Sequence, residues 1–528
     1  MLIGYVSDER YLALSDVLFE FTNEHVTVQS SSSASGKVYA ELEAGIYTAT
    51  FQLEGFGPKR VRINAQPGKP YHFRLLSNQL LGYAWPKVVK SGELSEFRVH
   101  ALEAYKIDLW RYGYKKEHIR SLGWYDEHGP RATMQITPDG DYTQTGVMWN
   151  KFGYSSPHHK QFVEAPERSG LYYFHAKGES GAFFSFPWIV APTKPTCDIA
   201  VLASDINWNA YNSFGGRSNY IHPDKFPPTP TINARLELKR YTDPDHINYD
   251  CEDYAPLSFD RPEPINHIPE NIEITDPIAG RAACHVAPAE WRFLGWLERE
   301  KFDHDLYSET QFHRNAFNLD AYKVLIITTH PEYWTQNMYQ TLKKWVYEGG
   351  GKLMYLGGNG LNCEVEILEN NTMKVKNGDA RKMEKGKKES RFHLYNESEA
   401  NLLGIVFSNE GIMTAAPYEV VNSNHWIFSG TGLKKGDLFG EESLHERIPG
   451  GASGHETDKT SSSSPENVEI VARGTNPDGG GAEMVYYNTP SGGEVFSVGS
   501  ITYPASILID EKISQITGNV IRRFTKSL

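Results

Sequence analysis

The heptapeptide TTHPEYW, Thr328 to Trp334, sets a histidine and a carboxylate two residues apart, His330 and Glu332. It lies between the apolar run KVLII and the helically spaced TQNMYQTLKKWV. A chain that leaves a buried strand for a helix turns sharply, and ligands of α/β proteins collect at that end of the strands. Elbows of hydrolases that use a covalent nucleophile carry Ser or Cys, and this one carries neither. A carboxylate held there can act as a base or bind a metal. Facing a helix N-terminus, Glu332 should stay ionised and suit a hard cation. The plainer reading is that Glu332 caps the helix while His330 packs against it. Trp334, Tyr333, Asn359 and Tyr211 are expected around the same crevice, apolar in its walls with a few convergent polar groups.

The elements that must position these residues read as three units. From residue 1 to 77, short alternating runs such as VLFEF, KVYAEL and IYTATFQL, separated by Gly, Ser and Pro, predict a β-sandwich. Residues 78–194 hold further strands, IDLWRYGY, GLYYFHAKG and AFFSFPWIVAP, and predict a second β-sandwich ending at the joint APTKPTCD. From 195 to 528 strand and helix alternate: DIAVLASD, PAEWRFLGWLERE, YKVLIITT, YQTLKKWVYEGG, KLMYLGG and a closing helix, IDEKISQITGNVIRRFTKSL. This grammar predicts a mostly parallel, doubly wound domain, glutamine-amidotransferase-like, interrupted from about Leu361 to Glu466 by a β-rich, charged insertion. RKMEKGKKESR in the insertion reads as a solvated hairpin. Three strand ends converge in this scheme, at SDINWNAYNSFGG, THPEYW and GGNG.

The chain has 528 residues, 39% hydrophobic and 12% aromatic, with 30 tyrosines, and can bury several cores. A formal charge of −13 argues against gripping nucleic acid. The start lacks a basic region followed by a long apolar one, so a cytoplasmic protein without a membrane span is expected. Four cysteines, Cys197, Cys251, Cys284 and Cys363, form no CxxC pair and fit reduced thiols rather than a disulfide framework. Cys363 or Cys251 as a nucleophile is a further reading, disfavoured because no paired histidine is evident.

LEAGIYTATFQLEGFGPKRVRI resembles the carboxypeptidase-regulatory or prealbumin-like module, whose ordinary role is structural. Five later motifs, NAYNSFGGRSNY, SFDRP, TTHPEYWTQNMYQTLKKWVYEGGGKLMYLGGNG, GGASGHETD and GAEMVYYNTPSGGEVFSVGSITY, together resemble the large, catalytic subunit of N,N-dimethylformamidases over residues 197 to 525. The resemblance implies an amide hydrolase with mononuclear ferric iron held by two tyrosines and a glutamate. It implies Tyr211 and Glu332 as ligands, and Tyr254, with Tyr249 its rival, as the second tyrosine. It also implies His330 and Glu456 as proton-transfer groups and Asn359 as a donor to the amide oxygen. The reaction would be metal-activated attack of water on a small, N-alkylated amide, giving formate and an amine. Such enzymes work with a separate small subunit, for which no segment of this chain substitutes, and the aromatic β domains suggest a homo-oligomer. The reading from a different class is a non-catalytic protein that binds carbohydrate or a partner on an amidotransferase-like scaffold.

Overall fold

A computed structural model of the chain describes residues 1–125, 161–223, 227–232, 254–376 and 388–526. Tyr249, Cys251 and most of RKMEKGKKESR lie outside the described residues.

Within the first 77 residues, alternation of apolar and polar side chains builds a four-stranded antiparallel sheet facing a three-stranded one. Leu18–Thr22 and Gly45–Gln52 bury every second residue, so Phe19, Phe21, Ala49 and Phe51 meet Val38, Phe73 and Ile63 in one core. A five-stranded and a three-stranded sheet follow, around a second core that includes Phe97, Tyr105, Phe174, Phe186 and Trp188.

The remainder is organised on a nine-stranded sheet. Its strands in chain order are β1 (Ile199–Ala203), β2 (Asp305–Ser308), β3 (Val324–Thr329), β4 (Lys352–Gly357), β5 (Tyr418–Val420), β6 (Leu438–Phe439), β7 (Glu469–Gly474), β8 (Glu483–Asn488) and β9 (Glu494–Ser497). They lie side by side as β2-β1-β3-β4-β9-β8-β7-β5-β6. The pairings from β2 across to β9 are parallel, and those from β9 to β6 are antiparallel. β1 and β3 are buried at every position, as strands covered on both faces must be. β5 and β6 come from the stretch read in sequence as an insertion, so part of that stretch extends the main sheet.

Four helices matter for the site. α1 (Asp205–Tyr211) follows β1 directly, α2 (Ala287–Arg299) and α4 (Glu511–Thr525) pack against β3, and α3 (Gln336–Tyr347) follows the β3 elbow. α3 buries Met338, Tyr339, Leu342, Trp345 and Val346, the one-sided spacing that its sequence displays. The elbow itself differs from a direct strand-to-helix turn. Tyr333 and Trp334 form a short extended segment that pairs in parallel with Cys363–Leu368 before α3 begins. Among the described residues, no helix is long and apolar enough to cross a membrane.

Candidate active site

β1, β3 and β4 are parallel neighbours, so the residues after their carboxyl ends share one rim of the sheet. After β1, α1 carries Tyr211 one helical stretch past the strand. Its end is tied down by Arg261 of the SFDRP motif, a fully buried guanidinium that donates to the carbonyls of Asn209, Phe214 and Arg217 and to Asn209 Oδ1. After β3 come His330 and Glu332. After β4 comes Asn359, fixed by its backbone N–H on Asp458 Oδ1 at 2.8 Å, while Tyr355 donates to the other oxygen of Asp458 at 2.7 Å. Glu456 reaches the rim because Gly358 lets it approach: a Cβ there would lie 2.5 Å from the Glu456 carbonyl oxygen. Backbone strain concentrates here too. Thr329, Asn359 and His455 have φ of 67°, 51° and 66°, and for a β-branched residue such as Thr329 that conformation is costly.

The side chains meet in a compact cluster. The Tyr211 hydroxyl donates to Glu332 Oε2 at 2.8 Å, the Tyr220 hydroxyl to Tyr211 Oη at 2.7 Å, and Tyr220 Oη lies 3.1 Å from the same Glu332 oxygen. Three oxygens therefore form a triangle with edges between 2.7 and 3.1 Å. His330 Nε2 lies 3.0 Å from Glu332 Oε2 and 3.1 Å from Tyr211 Oη, while Nδ1–H donates to the Gly358 carbonyl at 2.9 Å. Glu456 Oε2 is 3.8 Å from His330 Nε2 and accepts from Asn359 Nδ2 at 2.8 Å. Behind the triangle, Tyr333 donates to Tyr220 at 2.9 Å and Asn219 donates to Tyr333.

Charge is distributed by these contacts. Burial alone would raise the Glu332 carboxyl, but the hydrogen bond and charge of His330, with Tyr211 and Arg391, hold it below the usual carboxylate value. Burial alone would lower His330; Glu332 and Glu456 raise it instead. Each of the two thus favours the charged form of the other. Burial pushes Glu456 up, and its side chain, 17% exposed against 3% for Glu332 and none for His330, is where the cluster meets solvent. Burial and the Glu332 charge drive the Tyr211 and Tyr220 hydroxyls well above the ordinary phenol value. Only a multiply charged cation beside them would draw them to phenolate.

The donor set fits such a cation. An ion about 2 Å from each oxygen would set neighbouring ligands about 2.8 Å apart, which is the spacing of the triangle, and phenolate and carboxylate oxygens are hard donors.

Residues 107–515 match the family described as N,N-dimethylformamidase beta subunit-like, C-terminal. The chain belongs to that family. The N,N-dimethylformamidase beta subunits of Paracoccus aminophilus and of an Alcaligenes species are each 23% identical to it over 504 residues, covering 78% of this chain and 62% of theirs. The chain thus spans less than two thirds of the length of these curated relatives. They are named beta subunits, so the family expected from the sequence is met and the large-subunit designation is not. A solved DUF3823 family protein from Bacteroides ovatus covers 35% of this chain at 8% identity with a TM-score of 0.13, too low to bear on the fold.

Of the residues that the family resemblance pointed to, Tyr211, His330, Glu332, Asn359 and Glu456 come together. Tyr254 lies with its ring edge-on against His222, centroids 4.9 Å apart. The phenol that touches both Tyr211 and Glu332 is Tyr220, nine residues after Tyr211 in the motif NAYNSFGGRSNY. Asn359 Nδ2 gives one of its two N–H hydrogens to Glu456 Oε2. Glu332 does not cap α3: Thr335 does, accepting from the Met338 N–H. Arg391 was not legible beforehand; it sits between Cys363 Sγ, at 3.8 Å, and the charge of Glu332. Burial pushes the Cys363 thiol well up, and its Sγ lies 3.6 Å from Glu332 Oε1, so it is a poor nucleophile.

Cys284, His445 and His455 form a second cluster whose ligand atoms lie within 4.8 Å of one another. His445 Nδ1 accepts from the Ile448 N–H at 3.0 Å, which leaves Nε2–H to donate to His455 Nδ1 at 3.0 Å. Arg281, Arg292 and Arg447 surround Cys284 with positive charge. Both ring nitrogens of His445 are used by the protein, and the surroundings oppose a dication.

Proposed function

We propose that this chain hydrolyses the C–N bond of small amides, using a single ferric ion held by Tyr211, Glu332 and a second phenol, Tyr220. The observation that carries the reading is the triangle of three hard oxygens around Glu332, an ionised carboxylate on the rim of the sheet, in a member of the dimethylformamidase family. When bound, the ion would polarise the amide carbonyl and acidify water. The protein's own groups supply the rest. His330, charged and locked by the Gly358 carbonyl, orients Glu332 and holds a proton at Nε2. Glu456, at the solvent side with its carboxyl raised by burial, is placed to pass a proton to the departing nitrogen. In balance, the oxygen of one water bonds to the carbonyl carbon, the C–N bond breaks, and the nitrogen leaves protonated as an amine. Because the relatives are named as subunits, a further subunit is part of this proposal.

The test is iron content and visible absorbance of the purified protein beside Tyr211→Phe and Glu332→Gln, with amine release from formamides measured on all three. Wild type should hold about one iron with a phenolate-to-metal band, and both variants should lose iron and turnover together. Wild-type iron in both variants would remove the site. A colourless, metal-free, fully folded wild type would favour a binding protein.

A further inference from the structure

Tyr211 and Tyr220 are joined by a loop whose ends lie together, the Asn219 N–H donating to the Ala210 carbonyl at 2.9 Å. The middle of that loop is not seated in the core of the large sheet. Phe214 is fully buried and belongs to the second β core, with Phe97, Phe186 and Trp188, although every other described member of that core comes from residues 76–190. Two residues on, the Gly216 carbonyl accepts from Arg74 Nη1 at 2.7 Å. Arg74 ends a strand of the first β unit, Tyr71–Arg74, is 2% exposed, and gives Nη2 to the Glu9 carbonyl. Gly216 has a φ of 88°, and a Cβ there would lie 2.6 Å from Arg74 Nη1, so glycine is what lets this backbone and the guanidinium meet.

The grip extends to the flanks of the loop. Beyond Tyr220, the Thr231 N–H donates to the Tyr11 carbonyl at 3.0 Å, the Ala13 N–H to the Thr231 carbonyl at 2.9 Å, and the Tyr11 hydroxyl to the Pro227 carbonyl at 2.8 Å. Arg261, which holds the Phe214 and Arg217 carbonyls, stands two residues before Glu263, whose carboxylate takes Lys87 Nζ of the second β unit at 2.6 Å. Ordering a loop costs conformational entropy, and here the contacts that offset it are drawn from both amino-terminal units. A metal site binds in proportion to how well its ligands are fixed beforehand, and supports outside the ligand shell change affinity by about 10- to 100-fold.

We infer that the two amino-terminal β units are working parts of the iron site: Phe214, seated in the core of the second, and Arg74, reaching out from the first, position the loop that brings Tyr220 onto Tyr211 and Glu332, and so set how tightly iron is held. The inference rests on the hydrolase reading above. Phe214 and Arg74 act through the loop, as positioning residues. Each is fixed by its own unit, the phenyl ring by apolar burial and the guanidinium by the Glu9 carbonyl, so the loop is held from two independent bodies of packing.

The experiment measures iron affinity, by competition with a ferric chelator, and the phenolate-to-iron band of the full chain in wild type, Arg74→Met, Arg74→Lys, Phe214→Ala and Phe214→Leu. Phe51→Leu, in the first core, controls for a general loss of stability. Arg74→Met and Phe214→Ala should bind iron about 10- to 100-fold more weakly, with a displaced band, at temperatures where circular dichroism shows them folded. Arg74→Lys, which keeps a donor for Gly216, and Phe214→Leu, which keeps most of the apolar volume, should recover most of that affinity. Phe51→Leu should melt earlier than wild type, with wild-type affinity and band. Wild-type iron binding in both Arg74→Met and Phe214→Ala, or an equal loss in Phe51→Leu, overturns the inference and leaves the iron site standing. If Phe214→Ala does not fold, Arg74→Met decides by itself. Wild type that binds no iron removes the site, and this role of the β units with it.

Discussion

Glu332 shows how the site resolves opposing forces on one side chain. Burial favours its neutral form, yet His330, Tyr211 and Arg391 together keep it ionised, so the negative charge that a cation needs is already in place when the protein folds. The choice of second phenol is decided at this scale too. If Tyr220 is the ligand, Tyr220→Phe should weaken iron binding at least about tenfold and diminish the visible band, whereas Tyr254→Phe should bind iron as wild type does. The opposite pattern in a metal titration would hand the role to Tyr254. Tyr211 and Tyr220 stand in one motif, but which of 30 tyrosines meets Glu332 depends on how the loop after α1 returns, and that is held by Arg261 and Asn219, residues whose contacts leave no periodic mark in the sequence.

At the level of elements, β3 and α3 are where hydrophobic patterning puts them, with VLII in the strand and TQNMYQTLKKWV supplying the cap and nearly all of the helix. The two-residue strand between them is not visible in the pattern, because Tyr333 and Trp334 are held extended by pairing with Cys363 and Glu364, 30 residues away. That segment separates the capping function from the chemistry. Thr335→Ala should therefore cost about 1 kcal/mol of stability through loss of the N-cap, read as a lower denaturant midpoint, while iron content stays at the wild-type level. Loss of iron in that variant would mean that the elbow and the helix cap are one unit after all.

Across the molecule, buried carboxyls set the response to pH. Burial pushes Glu290 up to about 8 and Asp205 up to about 6, and the two repel each other. Glu290 accepts from Trp208 Nε1 at 2.8 Å and from the Ser204 N–H, under the start of α1. A carboxyl raised in the folded state stabilises the fold fully below its unfolded value, about 4.3, and that contribution is lost as pH climbs through the folded value. The melting temperature should accordingly fall between about pH 5 and pH 8.5, and Glu290→Gln, which keeps an acceptor for Trp208, should flatten the decline in calorimetry. A slope unchanged by the substitution would place the titration elsewhere. Glu332 acts in the opposite sense: its lowered carboxyl contributes stability above its unfolded value that is lost on acidification.

By itself the sequence determined what is local: which stretches are buried strands, which helix follows the elbow, and that a histidine and a glutamate with no neighbouring nucleophile stand on it, because burial periodicity and turn chemistry act over a few residues. Only the tertiary structure decided which phenol joins Glu332, that Asn359 turns its nitrogen to Glu456, and that strands read as an insertion extend the main sheet. Those outcomes depend on pairings between residues up to 121 apart, and contact across such separations is set by how the loops close.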